Sequence, residues 1–150
     1  MAELKEKLRT DLTAAMKSRD ELVTATLRMA LTAVGNEEVA GKAARELSDA
    51  EVVQVLTREA KKRREAAEAF QNGGRPEQAA REVAEGEVLA AYLPAQLSDE
   101  ELSTLVAEAV AETGAEGPKA MGLVMKTLNP KIAGRAEGGR VAAAVKSALS

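Results

Sequence analysis

The chain has 150 residues, enough for one domain or two small ones, and its 21 Lys and Arg against 24 Asp and Glu leave a net charge of −3. It contains no Cys and no His, which excludes a disulfide scaffold, thiolate metal sites, imidazole bases and Ser-His-Asp machinery. One Tyr and one Phe leave the core to Leu, Val, Met and Ala, in a composition that favours helix. The opening MAELKEKLRT is too charged for a secretory apolar region, and no apolar run approaches ~18 residues. A soluble, cytoplasmic protein with no membrane contact is expected.

Leu4, Leu8, Leu12 and Met16 fall at i, i+4 spacing and predict a first helix over residues 2–17 with one apolar stripe. Val23, Leu27, Leu31 and Val34 predict a second over 20–40, capped by Asp20 and closed near Gly41. Ser48-Asp49-Ala50-Glu51 is a capping box. It opens a third helix, from Asp49 to about Gln71, whose shared face is Val52, Val55, Leu56, Ala60, Ala67 and Phe70. The run Asn72-Gly73-Gly74-Arg75-Pro76 stops it and starts a fourth, since proline suits a first helical turn. That helix reaches about Leu93 with a small inner face of Ala79, Ala80, Val83, Ala90 and Ala91.

Pro94 ends the fourth helix, because the residue before proline avoids helical backbone. A domain boundary follows: residues 1–95 as an N-terminal helical domain and 97–150 as a three-helix bundle. Ser98-Asp99-Glu100-Glu101 is a second capping box, leading Leu102, Leu105, Val106 and Val110 to a stop at Gly114. A sixth helix begins near Pro118, spends Met121, Val124, Met125 and Leu128 on its apolar side and closes at Asn129-Pro130. The last starts near Glu137 and buries Val141, Val145, Ala148 and Leu149. No segment alternates as a strand would. The fold class read from these patterns is all-α, four helices followed by three.

Charge is segregated along the chain. Residues 117–150 hold Lys119, Lys126, Lys131, Arg135, Arg140 and Lys146 against Glu137, a net of +5, so the residues before them carry −8. Such a stretch is the electrostatic footprint of a polyanion binder, or else a solubilising surface. The candidate RNA-binding residues are Lys126, Lys131, Gly134, Arg135 and Arg140. Gly134, Gly138 and Gly139 let backbone approach a partner. The following helix points free N–H groups toward the loop, and arginine matches phosphate oxygens bidentately. Reversing Arg135 and Arg140 to Glu is expected to remove binding and leave the helical melt nearly intact.

A second basic cluster is Arg58, Lys61, Lys62, Arg63 and Arg64. Arg63 falls among Leu56, Ala67 and Phe70 on the apolar face, where a charge needs a partner; Glu87 is the first choice and Glu85 the second. The rest of the cluster suits either a solvated face or an RNA contact. Phe70 and Tyr92 suit packing better than base stacking, with Tyr92 beside Pro94 as a joint residue. Glu100, Glu101, Glu108 and Glu112 form an acidic helix face whose first members belong to a helix start. No catalytic residue, metal site or cofactor is implied.

Met121-Gly122-Leu123-Val124-Met125-Lys126, Asn129-Pro130-Lys131 and Gly134-Arg135-Ala136-Glu137-Gly138 together resemble the C-terminal signature of the GatB/YqeY family. Tyr92-Leu93-Pro94-Ala95-Gln96-Leu97-Ser98 resembles its mid-chain motif, and Arg58-Glu59-Ala60-Lys61-Lys62-Arg63 its long-helix motif. Glu137 stands where the family more often has Asp, and Gly139 adds a second glycine. The resemblance implies the same two-part helical division. It also implies kinship with the tRNA-contacting tail domain of the B subunit of a glutamine-dependent tRNA amidotransferase, a carbon–nitrogen ligase in which that domain is not catalytic.

Three functions are compatible with these readings. One is a non-catalytic RNA-binding module, with tRNA as partner. The second is an accessory subunit of an amidotransferase or another tRNA enzyme, and the third is a helical adaptor without nucleic acid.

Overall fold

The computed structural model describes residues 3–114, 116–132, 134–136 and 138–150. Among these described residues seven α-helices follow one another: α1 Glu3–Ser18, α2 Glu21–Glu38, α3 Asp49–Asn72, α4 Pro76–Ala90, α5 Asp99–Thr113, α6 Met121–Ile132 and α7 Gly138–Leu149. One 3₁₀ turn, Pro118–Ala120, precedes α6, and no strand occurs among the described residues. The fold is all-α. It divides into two compact units, Met1–Leu93 and Pro94–Ser150.

The first unit closes over Leu8, Leu27, Ala30, Val34, Leu47, Val52, Val55, Leu56 and Leu89. Asp20 caps α2 by accepting from the Val23 amide at 3.1 Å. Ser48 and Glu51 form the reciprocal capping box of α3. Between α3 and α4 the chain reverses through Gly74, whose φ of +74° is left-handed backbone that a side chain rarely adopts.

Four local expectations are corrected here. The α1 stripe does not run straight: Met16 is 49% exposed while Ala15 is buried. Steps of four residues advance 40° beyond a full turn, so three of them carry Met16 about 120° from Leu4. The second correction concerns α4, which buries Ala79, Glu85 and Leu89. Ala80, Ala90 and Ala91 are exposed, as is Val83 at 52%, so the buried face is rotated away from the small stripe. α4 also stops at Ala90, and a turn carries Tyr92 and Leu93 to Pro94. Third, Gly41 does not close α2, which ends at Glu38 with Val39 as its cap. Last, Arg63 is buried as expected but not on Glu87, the first choice; its carboxylates are Glu59 at 2.8 Å and the second choice, Glu85, at 3.6 Å.

The second unit packs α5, α6 and α7 around Leu102, Val106, Ala109, Val124, Leu128, Ile132, Val141, Val145 and Leu149. Helix α6 passes through Pro130 and ends at Ile132 rather than at Asn129. Proline forfeits one helical hydrogen bond, but in the last turn the loss is confined. Continuing the helix puts Ile132 into the core, 4% exposed. Ala148 is exposed, because Val141, Val145 and Leu149 already define the buried face of α7. Glu137, where the sequence sets the start of the last helix, lies outside the described residues.

Candidate nucleic-acid interface

The α6–α7 turn is built on Gly134, whose φ of +83° turns the chain out of α6. The Arg135 amide then donates to the Ile132 carbonyl at 2.8 Å. Against this turn lies the extended strap Pro94–Leu97. The Leu97 amide donates to the Arg135 carbonyl at 2.7 Å, and Gln96 Nε2 donates to the Gly134 carbonyl at 3.1 Å. In return Arg135 Nε donates to the Ala95 carbonyl, and Arg140 Nη2 to that of Leu97, each at 3.1 Å. The two loop motifs singled out in the sequence are therefore bonded to each other.

The candidate cations meet the acidic helix. Arg140 Nη2 also reaches Asp99 Oδ1 at 2.8 Å, Arg135 Nη2 lies 4.0 Å from Glu101, and Lys131 Nζ donates to Glu112 at 3.1 Å. Lys126 is exposed and makes no ion pair among the described residues, as do Lys119 and Lys146. The Pro94–Ser150 unit contains six cations and seven acids, a net of −1. The +5 of the last stretch thus packs against the acids of α5. Sequence reading did not assign Asp99, Glu101 and Glu112 as partners of these cations. The available signal was a capping-box helix carrying acids in a unit otherwise rich in Lys and Arg.

Glu101 serves two groups at once. Its Oε1 accepts from the Ser98 amide at 3.2 Å while its own amide donates to Ser98 Oγ at 3.1 Å. The backbone and hydroxyl hydrogen bonds of Ser98, ahead of the Arg135 charge, hold its carboxyl below the usual range. Gly138 and Gly139 are exposed in the first turn of α7, and a Cβ at Gly138 would meet nothing within 4 Å. That glycine is not demanded by packing.

The second basic cluster is also tied down. Lys62 lies 3.5 Å from Glu59, Arg58 3.4 Å from Glu37 and Lys61 3.9 Å from Glu65. Tyr92 belongs to the first unit: its hydroxyl donates to Asp11 Oδ2 at 2.5 Å, and Lys7 sits over its ring. Burial, then the bond to Asp11, pushes its phenol up. Among the described residues no group of three or more Asp or Glu could hold a metal ion, and no helix is long and apolar enough to cross a membrane.

Compared with known protein families, residues 5–149 match the one described as Yqey-like protein. The chain belongs to the YqeY family. The match takes in both units of this YqeY chain and all three motifs, from the α3 cluster through the strap to the α6–α7 turn. No curated protein matches it.

Proposed function

We propose that this YqeY-family protein is a non-catalytic RNA-binding module for tRNA, and that its Pro94–Ser150 unit does the binding. The observation that carries the reading is the state of the α6–α7 cations. Lys126 is unpaired among the described residues, and the acids facing Lys131, Arg135 and Arg140 are solvent-exposed, Asp99 to 98%. Exposed pairs of this kind contribute only about 0–1 kcal/mol. A phosphate can replace a carboxylate on these side chains at small cost, and charge-assisted bonds to phosphate are strong. The choice of tRNA rests on the resemblance of the C-terminal motifs to the amidotransferase B-subunit tail. That is a family-level warrant, and carbon–nitrogen ligase activity enters through it alone.

Filter binding of the full chain to total tRNA tests the reading. Affinity should fall with salt at a log–log slope near −3, at roughly −0.7 to −0.9 for each of three or four phosphates neutralised. Lys126→Glu, which disturbs no ion pair among the described residues, should weaken binding clearly without lowering the melting temperature. Absence of binding at low salt would remove the proposal.

A second reading is favoured by a different observation, the net −1 of the same unit. A surface whose cations are matched by local acids suits a protein partner, such as an amidotransferase or another tRNA enzyme, better than diffusional capture of RNA. Co-purification that survives nuclease treatment distinguishes this adaptor or accessory-subunit reading from the first.

A further inference from the structure

Helix α2 carries a polar stripe that the RNA reading does not use. Arg28, Thr32 and Asn36 recur every four residues and line a depression of about 280 Å³ whose far wall is Glu59 and Arg63 of α3. A neighbouring depression of about 330 Å³ shares Ala33, Asn36 and Glu59 with it and adds Glu37, Arg58 and Lys62. The ionisable lining is four cations, Arg28, Arg58, Lys62 and Arg63, against two carboxylates, Glu37 and Glu59, a net of +2. The Met1–Leu93 unit around it has fifteen cations and seventeen acids, a net of −2. With Glu85, which stands 3.6 Å from Arg63 outside the lining, the local surplus is +1, within a unit that is net negative.

The donors of this depression are under-used. Arg63 is 5% exposed, and its Nη1 bonds the Glu59 carboxylate and carbonyl. Its Nε faces the Glu85 carboxylate at 3.6 Å, an ion pair without a hydrogen bond, and its Nη2 reaches only the Met29 thioether, at 3.5 Å. Sulfur is a weak acceptor, so a buried guanidinium N–H facing this wall lacks a strong partner. Arg28 and Asn36 are exposed, and neither side chain has an ion pair or hydrogen bond among the described residues. Glu59 is meanwhile flanked by both Arg63 and Lys62, which offsets its repulsion of an incoming anion. Met29, half exposed and flexible, can swing aside.

We propose that the α2–α3 depression binds the phosphate group of a small ligand. Arg63 Nη2 and the Arg28 guanidinium bracket its oxygens, the Asn36 amide donates a further bond, and the ligand displaces the Met29 sulfur. Paired guanidinium groups match phosphate oxygens in geometry and charge. Each depression lies near the lower end of the ~300–1,000 Å³ typical of small-ligand sites, so the partner is a small molecule rather than a macromolecular surface. The site lies in the first unit and stands or falls independently of tRNA binding by the second.

The test is a titration of the full chain, with ¹³C-methyl-labelled methionine, by inorganic phosphate at constant ionic strength. The Met29 methyl resonance, assigned by its loss in Met29→Leu, should shift saturably while those of Met16, Met121 and Met125 stay still. Arg28→Gln, at an exposed residue without an ion pair among the described residues, should weaken the apparent affinity about tenfold, equivalent to ~1.4 kcal/mol. A non-saturating shift, equal shifts at all methyls, or unchanged affinity in Arg28→Gln overturns the proposal. A shift produced by a short RNA oligonucleotide but not by phosphate also overturns it and assigns the groove to nucleic acid.

Discussion

Arg63 sits at 5% exposure with carboxylates on it from two helices, Glu59 one turn earlier on α3 and Glu85 on α4. Both partners are themselves largely buried, and deleting the guanidinium leaves them only their outer cations, Lys62 at 3.5 Å from Glu59 and Arg81 at 3.2 Å from Glu85. Arg63→Ala should cost about 3 kcal/mol, the lower end for breaking a buried pair because each acid keeps one cation, read as a lowered midpoint in urea unfolding. A wild-type midpoint would mean that the cluster contributes nothing. The neighbouring Glu82 tests the same environment with opposite sign. Burial first, and then the Glu85 charge, raise its pKa above the ordinary carboxylate value. Its charged form is therefore disfavoured in the folded state. Glu82→Gln should raise the melting temperature at neutral pH, and the gain should vanish as the pH falls below the unfolded carboxylate range, where wild-type Glu82 is protonated in both states.

Acid sensitivity is expected from carboxyls held at helix ends. In the capping box of α3, Glu51 accepts from Arg45 Nη1 at 3.0 Å and from the Ser48 amide at 3.2 Å. The Arg45 bond first, then that of Ser48, lowers its carboxyl to about 2. Glu38 at the end of α2 is lowered chiefly by the Lys5 hydrogen bond, and it also accepts from the Leu47 amide. Folded pKa values below the unfolded ones give stability that is present above about 4.5 and lost as the pH drops toward 2. Melting temperatures followed by circular dichroism should hold near neutrality and fall steeply within that window. In Glu51→Gln the fall should be shallower and the neutral-pH melting temperature lower, since the charged acceptor is gone at every pH. An identical acid profile in the variant would assign the sensitivity to other groups.

Each unit has its own core, and the second is small enough for its strap to matter. Below roughly 60 residues a domain buries a modest share of its surface and is marginal. Residues Pro94–Leu97 add hydrogen bonds to Gly134, Arg135 and Arg140 that a fragment starting at Leu97 would lack in part. A 94–150 fragment should fold on its own, and a 97–150 fragment should melt at lower temperature; equal melts would show the strap to be dispensable. The same contacts change the expected result of charge reversal. Arg135→Glu with Arg140→Glu removes two carbonyl ligands and sets new acids beside Asp99 and Glu101. The double variant should melt below wild type, contrary to the intact melt expected from exposed residues. A loss of tRNA binding in it is therefore informative only beside Lys126→Glu.

Helix type and most helix starts were legible in the linear chain, because they rest on local physics. Ser48 and Ser98 announce their helices through a hydroxyl and a carboxylate three residues apart, Asp20 through one side chain, and Pro94 by excluding helix before it. The family motifs were equally legible. Which face of a helix is buried was less so where apolar residues are small: on α4 an alanine stripe and the true inner face differ by a rotation that only packing against α3 sets. Least legible was the candidate site. The +5 of residues 117–150 is a property of the sequence order, while a field is a property of positions in space. Folding brings Asp99, Glu101 and Glu112 within reach of Arg140, Arg135 and Lys131, and over such distances opposite charges largely cancel. It also gathers Arg28 and Arg63, 35 positions apart in the chain, around one depression. Local bonding patterns are written in neighbouring residues, but charge neutralisation and convergence depend on which helices meet.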